Sequence, residues 1–137
     1  MLPMYNLFVV EDQLVIRTAY QKIIDREPDL VICGEASSGE EALALLEHLK
    51  PDIILLDLSL PGISGTMLIR IFRQLYPNLP ILVISGQGED LYQELILKVG
   101  ASGYIDKLNV VSSLVETIRH IIFNHVCLSK AHTASEA

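Results

Sequence analysis

Three carboxylates, a hydroxyl and an ammonium group stand directly behind apolar runs in this chain. Glu11 and Asp12 follow YNLFVV, Asp57 follows IILL, Ser85 closes ILVIS ahead of Gly86, and Lys107 comes just after GYID. Each alone has an ordinary explanation. Glu11 and Asp12 suit the first turn of a helix, Asp57 and Ser85 suit turns or caps, and Lys107 suits a solvated surface. Brought together, they suit phosphoryl chemistry. Crowded carboxylates repel, so either one holds a proton or a cation sits among them, and hard oxygen ligands with room for water suit Mg2+ (or Mn2+). One carboxylate can then attack phosphorus while metal and lysine neutralise the phosphoryl oxygens and the hydroxyl donates to them. The product would be an aspartyl phosphate. Acyl transfer is not supported, because Ser85 has no histidine nearby in sequence, and His48, His120, His125 and His132 fall on helices or the tail as surface residues. Neither GxGxxG nor GxxxxGK occurs, which disfavours dinucleotide or NTP binding.

These residues meet only if the elements before them form one sheet. Ile53 to Leu56 is a continuous apolar run without alternation, as expected of a strand buried on both faces, and Pro61, Gly62 and Gly65 then make a loop. Tyr5–Val10, Leu30–Cys33, ILVIS after Pro80 and Gly103–Ile105 read as four more strands. Helices alternate with them. The first presents Leu14, Val15, Ala19, Ile23 and Ile24 and stops at Pro28. Ser38 with Glu41 is a capping-box signature for the second, which runs to about Leu49. The third has Met67, Leu68, Ile71, Phe72 and Leu75 as its apolar face. The fourth has Leu91, Leu95, Ile96 and Val99 and a left-handed stop at Gly100. Asn109 is expected to cap the last, whose face is Val111, Leu114, Val115, Ile118, Ile121 and Ile122. Such alternation predicts an α/β fold, a single (βα)5 doubly wound domain with a parallel sheet and helices on both faces. Residues just past the carboxyl ends of parallel strands converge on one edge, where open α/β sheets bind ligands.

The 137 residues fit one domain, and 50% hydrophobic composition gives it a real core. Residues 1–128 are expected to form it, with 129–137, SKAHTASEA, as a polar tail or the start of a linker. Ten basic against seventeen acidic residues, net −7, argue against nucleic-acid binding by this domain. No apolar run reaches the roughly 18 residues that span a bilayer, and MLPMYNLFVV lacks a basic leader, so a cytoplasmic, membrane-free protein is expected. Cys33 and Cys127 are expected to be free thiols.

Glu11-Asp12, Asp57 within DLSLPGISG, Ser85-Gly86, Tyr104 and Lys107 resemble, in type and spacing, the receiver domains of two-component response regulators, over about Tyr5 to Leu128. The resemblance implies a flavodoxin-like sheet of order 2-1-3-4-5. It implies Asp57 as phosphoacceptor and Asp12, Asp57 and the Ser59 carbonyl as metal ligands, with Glu11 acting through water. Lys107 and Ser85 would hold the phosphoryl oxygens together with the amides of Leu58 and Gly86. Ser85 and Tyr104 would form the switch, and Ser59 and Gln87 would tune dephosphorylation. The implied partner is a histidine kinase or phosphotransfer protein, with a phosphorylation-dependent homodimer as a further option. Phosphorylation would change the surface of helix four, strand five and helix five. Leu108 follows Lys107 where many receivers have proline. With GASGYIDK and PDIILLDLSLPG, that is similar to the NarL/FixJ-type subfamily, whose members append a LuxR-type helix-turn-helix domain and so reach DNA. No such domain follows within the chain, leaving an excised receiver or a stand-alone one. Two other classes compete: a haloacid-dehalogenase-like phosphohydrolase, disfavoured by Ser59 where an acid-base Asp belongs and by the lack of a cap insertion, and a phosphorylation-independent interaction module. A receiver is a signalling phosphoacceptor, catalysing only its own phosphorylation and dephosphorylation.

Overall fold

The computed structural model describes residues 3–60, 62–86 and 90–136. Its elements are β1 Tyr5–Val10, α1 Leu14–Asp25, β2 Leu30–Ala36, α2 Gly39–Leu46, β3 Ile53–Asp57, α3 Gly65–Leu75, β4 Ile81–Ser85, α4 Asp90–Val99, β5 Gly103–Asp106, a 3-10 turn at Lys107–Asn109, and α5 Val110–Glu136. The strands form one parallel sheet in the order β2-β1-β3-β4-β5, as the resemblance implied. Side chains alternate across it. Phe8, Val10, Ile54, Leu56, Ile81 and Val83 pack beneath α2, α3 and α4, whereas Leu7, Val9, Ile53, Leu55, Leu82 and Ile84 pack beneath α1 and α5. Both faces are covered, which is why β3 carries no polar residue before Asp57.

Helix faces differ from the sequence expectation at their ends. Leu14 and Val15 are 66% and 80% exposed, and Leu91, Met67, Leu75 and Val111 are exposed as well. In α1, Ile24 is buried and Ile23 packs on the core as expected, but Ala19 is exposed and Tyr20 is buried, with Ile16 packed against the same cluster. The face towards the sheet thus includes the i, i+4, i+8 series Ile16, Tyr20 and Ile24, and Leu14 and Val15 lie off it. Ile69 and Val110 are likewise buried where Met67 and Val111 were expected. β2 extends to Ala36, and α2 stops at Leu46. Ser38 caps α2 by accepting from the Glu41 amide at 3.1 Å, and the Glu41 carboxylate takes the Ser37 hydroxyl at 2.9 Å. The 3-10 turn after β5 is capped by Asp106, which accepts from the Leu108 amide at 2.9 Å, and α5 begins at Val110, directly after Asn109. No described peptide bond is cis, that between Lys107 and Leu108 included. The backbone of the polar segment 129–136 continues α5. Pro61, Gln87 and the side chains of Cys127 and His132 lie outside the described residues.

Two local devices fix the helices nearest the site. A Cβ on Gly65 would lie 3.0 Å from Leu58 Cα, so only glycine lets α3 start against the residue that follows Asp57. Arg73 of α3 donates to Gly100 O at 3.1 and 2.6 Å, to Pro77 O at 3.0 Å and to Leu79 O at 2.7 Å. Gly100, with φ of +128°, ends α4, and its carbonyl is one that the helix cannot satisfy itself. The guanidinium therefore ties the end of α4 to α3 and its following turn.

Candidate functional site: an acidic pocket at the carboxyl edge

Strand register decides which polar residues meet. Val10 pairs with Leu56, Asp57 with Ile84, and Ser85 with Asp106. From β1 to β3 to β4 each strand therefore ends one residue past its neighbour, and β5 ends level with β4. Glu11 falls beside Asp57, Ser85 lies one step beyond Ile84, and Lys107 follows Asp106. Glu11 at 0% exposure, Asp57 at 2% and Ser85 at 3% are the buried polar residues of the described structure. Asp12 is exposed. One oxygen from each of Glu11, Asp12 and Asp57 lies within 4.8 Å of the others, so the three acids expected to meet do meet. Lys107 Nζ lies 3.3 Å from Asp57 Oδ2 and 3.4 Å from Glu11 Oε1.

Several partners were not foreseen. The Ser59 amide and hydroxyl both donate to Asp57 Oδ1, at 3.0 and 2.8 Å. The Gln13 amide donates to Glu11 Oε2 at 3.2 Å. Arg17 donates to the Glu11 carbonyl at 2.7 Å and pairs with Glu35 at 3.4 Å, which fixes the backbone at the exit of β1. Tyr20 stands under the site with its hydroxyl buried. Its sequence signal was the spacing Ile16, Tyr20, Ile24, which competes with the more obvious Leu14 and Val15. Tyr104 is half-buried and packs, like Tyr92 of α4, on the cluster that holds Val83. A Cβ on Gly86 would meet nothing within 4 Å, so the backbone after Ser85 faces open space. Leu58 is buried and Ser59 exposed.

The carboxylates respond to crowding in opposite ways. Burial, reinforced by Asp57, pushes Glu11 up to about 7. Burial also opposes the charge on Asp57, but the Ser59 amide, Glu11, the Ser59 hydroxyl and Lys107 outweigh it and hold Asp57 below its usual value. Burial works against the Lys107 charge too, and the two acids overcome it and raise that group. In the absence of a cation, then, Asp57 carries the charge and Glu11 accommodates the proton. The donor set is all oxygen, buried on two sides and open at Asp12, which fits a hard divalent cation that keeps some of its water.

Comparison with known proteins agrees with the geometry. The family described as Response regulator receiver domain matches residues 7–119. The nitrate/nitrite response regulator protein NarL of Escherichia coli (strain K12) is 33% identical over 130 residues, covering 93% of this chain and 59% of that protein. The transcriptional regulatory protein DegU of Brevibacillus brevis is 31% identical over 114 residues, covering 83% and 48%. The chain thus spans about half the length of these relatives. Among solved structures, a LuxR-family two-component response regulator from Aurantimonas sp. SI85-9A1 superposes with TM-score 0.84 at 30% identity, covering 88% of this chain and 86% of that one. The response regulator domain of Thermotoga maritima CheB gives 0.78 at 26% identity, covering 87% and 96%. The chain belongs to the response regulator receiver domain family, alongside relatives of the NarL, DegU and GacA type.

Proposed function

We propose that this chain is a phosphorylation-switched signalling module whose phosphoacceptor is Asp57. The observation that carries the proposal is a charged Asp57 held at the sheet edge between two Ser59 donors and Lys107, with Glu11 and Asp12 alongside. The donor is a phosphohistidine on a partner kinase or phosphotransfer protein. An Asp57 oxygen forms the new P–O bond, the P–N bond breaks, and the departing imidazole nitrogen keeps the bonding pair and takes up a proton. Glu11, Asp12, Asp57 and the Ser59 carbonyl would hold Mg2+ (or Mn2+), Glu11 through water. When bound, the ion neutralises charge building on the phosphoryl oxygens. Lys107 supplies a second positive charge, and the Ser85 hydroxyl and the amides of Leu58 and Gly86 orient those oxygens. Ser59 and, by the family resemblance, Gln87 would tune the lifetime of the product.

The rim of the site suits a protein donor. Leu14 and Val15, just past Asp12, and Leu108 and Val111, just past Lys107, are all exposed large apolar side chains, which an approaching helical surface would cover. Movement of Ser85 towards the phosphoryl group would free space for Tyr104 to turn inward and change the surface of α4, β5 and α5. The output is transcriptional in a longer protein of the NarL kind, reached through an appended DNA-binding domain, and the compartment is the cytoplasm. Among the described residues no helix is long and apolar enough to cross a membrane.

Intact-mass analysis after incubation with acetyl phosphate and Mg2+ tests the reading. The wild type should gain a labile phosphoryl group that Asp57→Asn and EDTA both abolish. A folded wild type that gains nothing would leave the phosphorylation-independent interaction module as the better account.

A further inference from the structure

The acidic pair at the exit of β1 is held by its backbone. Glu11 and Asp12 share a peptide whose carbonyl lies just past Val10, the last β1 residue paired with β3. Ala36 O of β2 accepts from the Glu11 amide at 2.9 Å. The Glu11 carbonyl accepts from Arg17 Nη1 of α1, at 2.7 Å. Side chains on a helix lean towards its N-terminus, which brings Arg17 back over the first turn of α1 to this point.

The same guanidinium lies against β2. Its Nε is 3.4 Å from Glu35 Oε2, and the Arg17 side chain is only 19% exposed. Nε is buried and makes no hydrogen bond, so opposite charge, more than a directed bond, keeps the guanidinium against the strand. One side chain therefore joins α1, the end of β1 and the edge strand β2. Arg17 is not the counter-ion of the acidic site. Lys107 fills that place, 3.3 Å from Asp57 and 3.4 Å from Glu11, whereas Arg17 meets Glu11 at a carbonyl and gives its ion pair to Glu35. A brace for folding alone would account for such contacts but not for their place, because the carbonyl held is the one between the two acids.

We infer that Arg17 is a positioning residue of the metal site, fixing the plane of the Glu11–Asp12 peptide, and that Glu35 keeps it in place from the edge strand. Asp12 is the exposed member of the three acids whose oxygens lie within 4.8 Å of one another, so backbone direction, more than packing, aims its carboxylate. Turning that peptide would carry the Asp12 oxygen out of the cluster and weaken cation binding while Glu11 and Asp57 stayed buried. This inference rests on the receiver reading above, in which Asp12 is a direct ligand of Mg2+.

The affinity of the folded protein for Mg2+, measured by calorimetry, tests the role. Arg17→Ala should raise the dissociation constant about tenfold, the usual order for a residue that orients a metal ligand. Arg17→Lys should not restore it, because one ammonium cannot hold the carbonyl and Glu35 as the fork does. Glu35→Gln should raise it by less, and should add nothing in the Arg17→Ala background. A residue that only braces the fold would lower the melting temperature and leave the affinity alone. Nitrogen-15 spectra of the unsubstituted protein give a readout that needs no variant to fold: a guanidinium held on a carbonyl and a carboxylate shows separate Nη resonances, and a freely turning one shows their average. Wild-type affinity in folded Arg17→Ala, or an averaged Nη signal, would overturn the role, and wild-type affinity in Glu35→Gln would overturn the part given to Glu35. No Mg2+ binding by the wild type would overturn the receiver reading, and this role with it.

Discussion

Asp57 and Glu11 lie side by side with opposite tendencies, and their pH behaviour separates them. Glu11 ionises near 4.5 in the unfolded chain and near 7 in the folded one. Between these values the folded protein keeps a proton that the unfolded chain has lost. The stability contributed by Glu11 is therefore complete below about 4.5 and disappears as pH rises through about 7. Asp57 has the other sign: held below 3.8, it contributes stability above that value, which is lost in acid. Metal-free protein should thus melt at a lower temperature at about pH 8 than at about pH 5.5, and saturating Mg2+, by favouring the ionised form, should abolish the difference. Thermal unfolding at both values, with and without Mg2+, checks this. A metal-free melting temperature that holds steady over the interval would mean that Glu11 ionises as an ordinary carboxylate. The identities of these residues were legible because each follows an apolar run. Their unequal protonation was not, because it depends on burial and on the Ser59 donors, which only the folded loop supplies.

At the scale of elements, two substitutions test how the site is framed. Gly65→Ala forces a Cβ against the Leu58 backbone, so α3 must back away from the loop behind Asp57. We expect a loss of about 1–3 kcal/mol, the usual range for overpacking, and slower phosphorylation by acetyl phosphate. Unchanged denaturant midpoint and rate would show that the loop yields without cost. Arg73→Ala removes the donors to Gly100, Pro77 and Leu79 and should cost about 1–3 kcal/mol, with Arg73→Lys failing to restore it because an ammonium cannot make the forked contact. Urea unfolding of the three proteins decides this. The strands and their order followed from buried apolar runs and from the family resemblance. The helix faces were read less well, because periodicity alone does not say where the sheet ends. Leu14, Val15 and Val111 keep helical spacing but are exposed, while Tyr20, absent from the expected face, is buried. Arg73, read from sequence, is one more helix cation, and its carbonyl partners come from two separate backbone segments, the turn after α3 and Gly100.

Across the whole molecule, the two faces of the sheet are tied down unequally. α1 and α5 share a continuous cluster, and Arg119 of α5 reaches Glu27 and Asp29 after α1 at 3.0 and 2.7 Å. α4 has a single fully buried side chain among its described residues, Ile96, and leaves Leu91, Leu95 and Leu97 exposed. Its far end is clasped by Arg73, and its near end follows the β4 loop beside Ser85. Such a helix has a fulcrum. With Gly100 as the fixed point, ten residues make a lever arm of about 15 Å. On the proposed reading, a small push beside a phosphoryl group on Asp57 would become a sweep of the first turn across the surface, with Leu91 at the tip and Tyr92 next to it. On the same reading, α4, held by a guanidinium on carbonyls and by one fully buried side chain, Ile96, would change its angle with little repacking of the sheet, and the message would leave the site as a rotation.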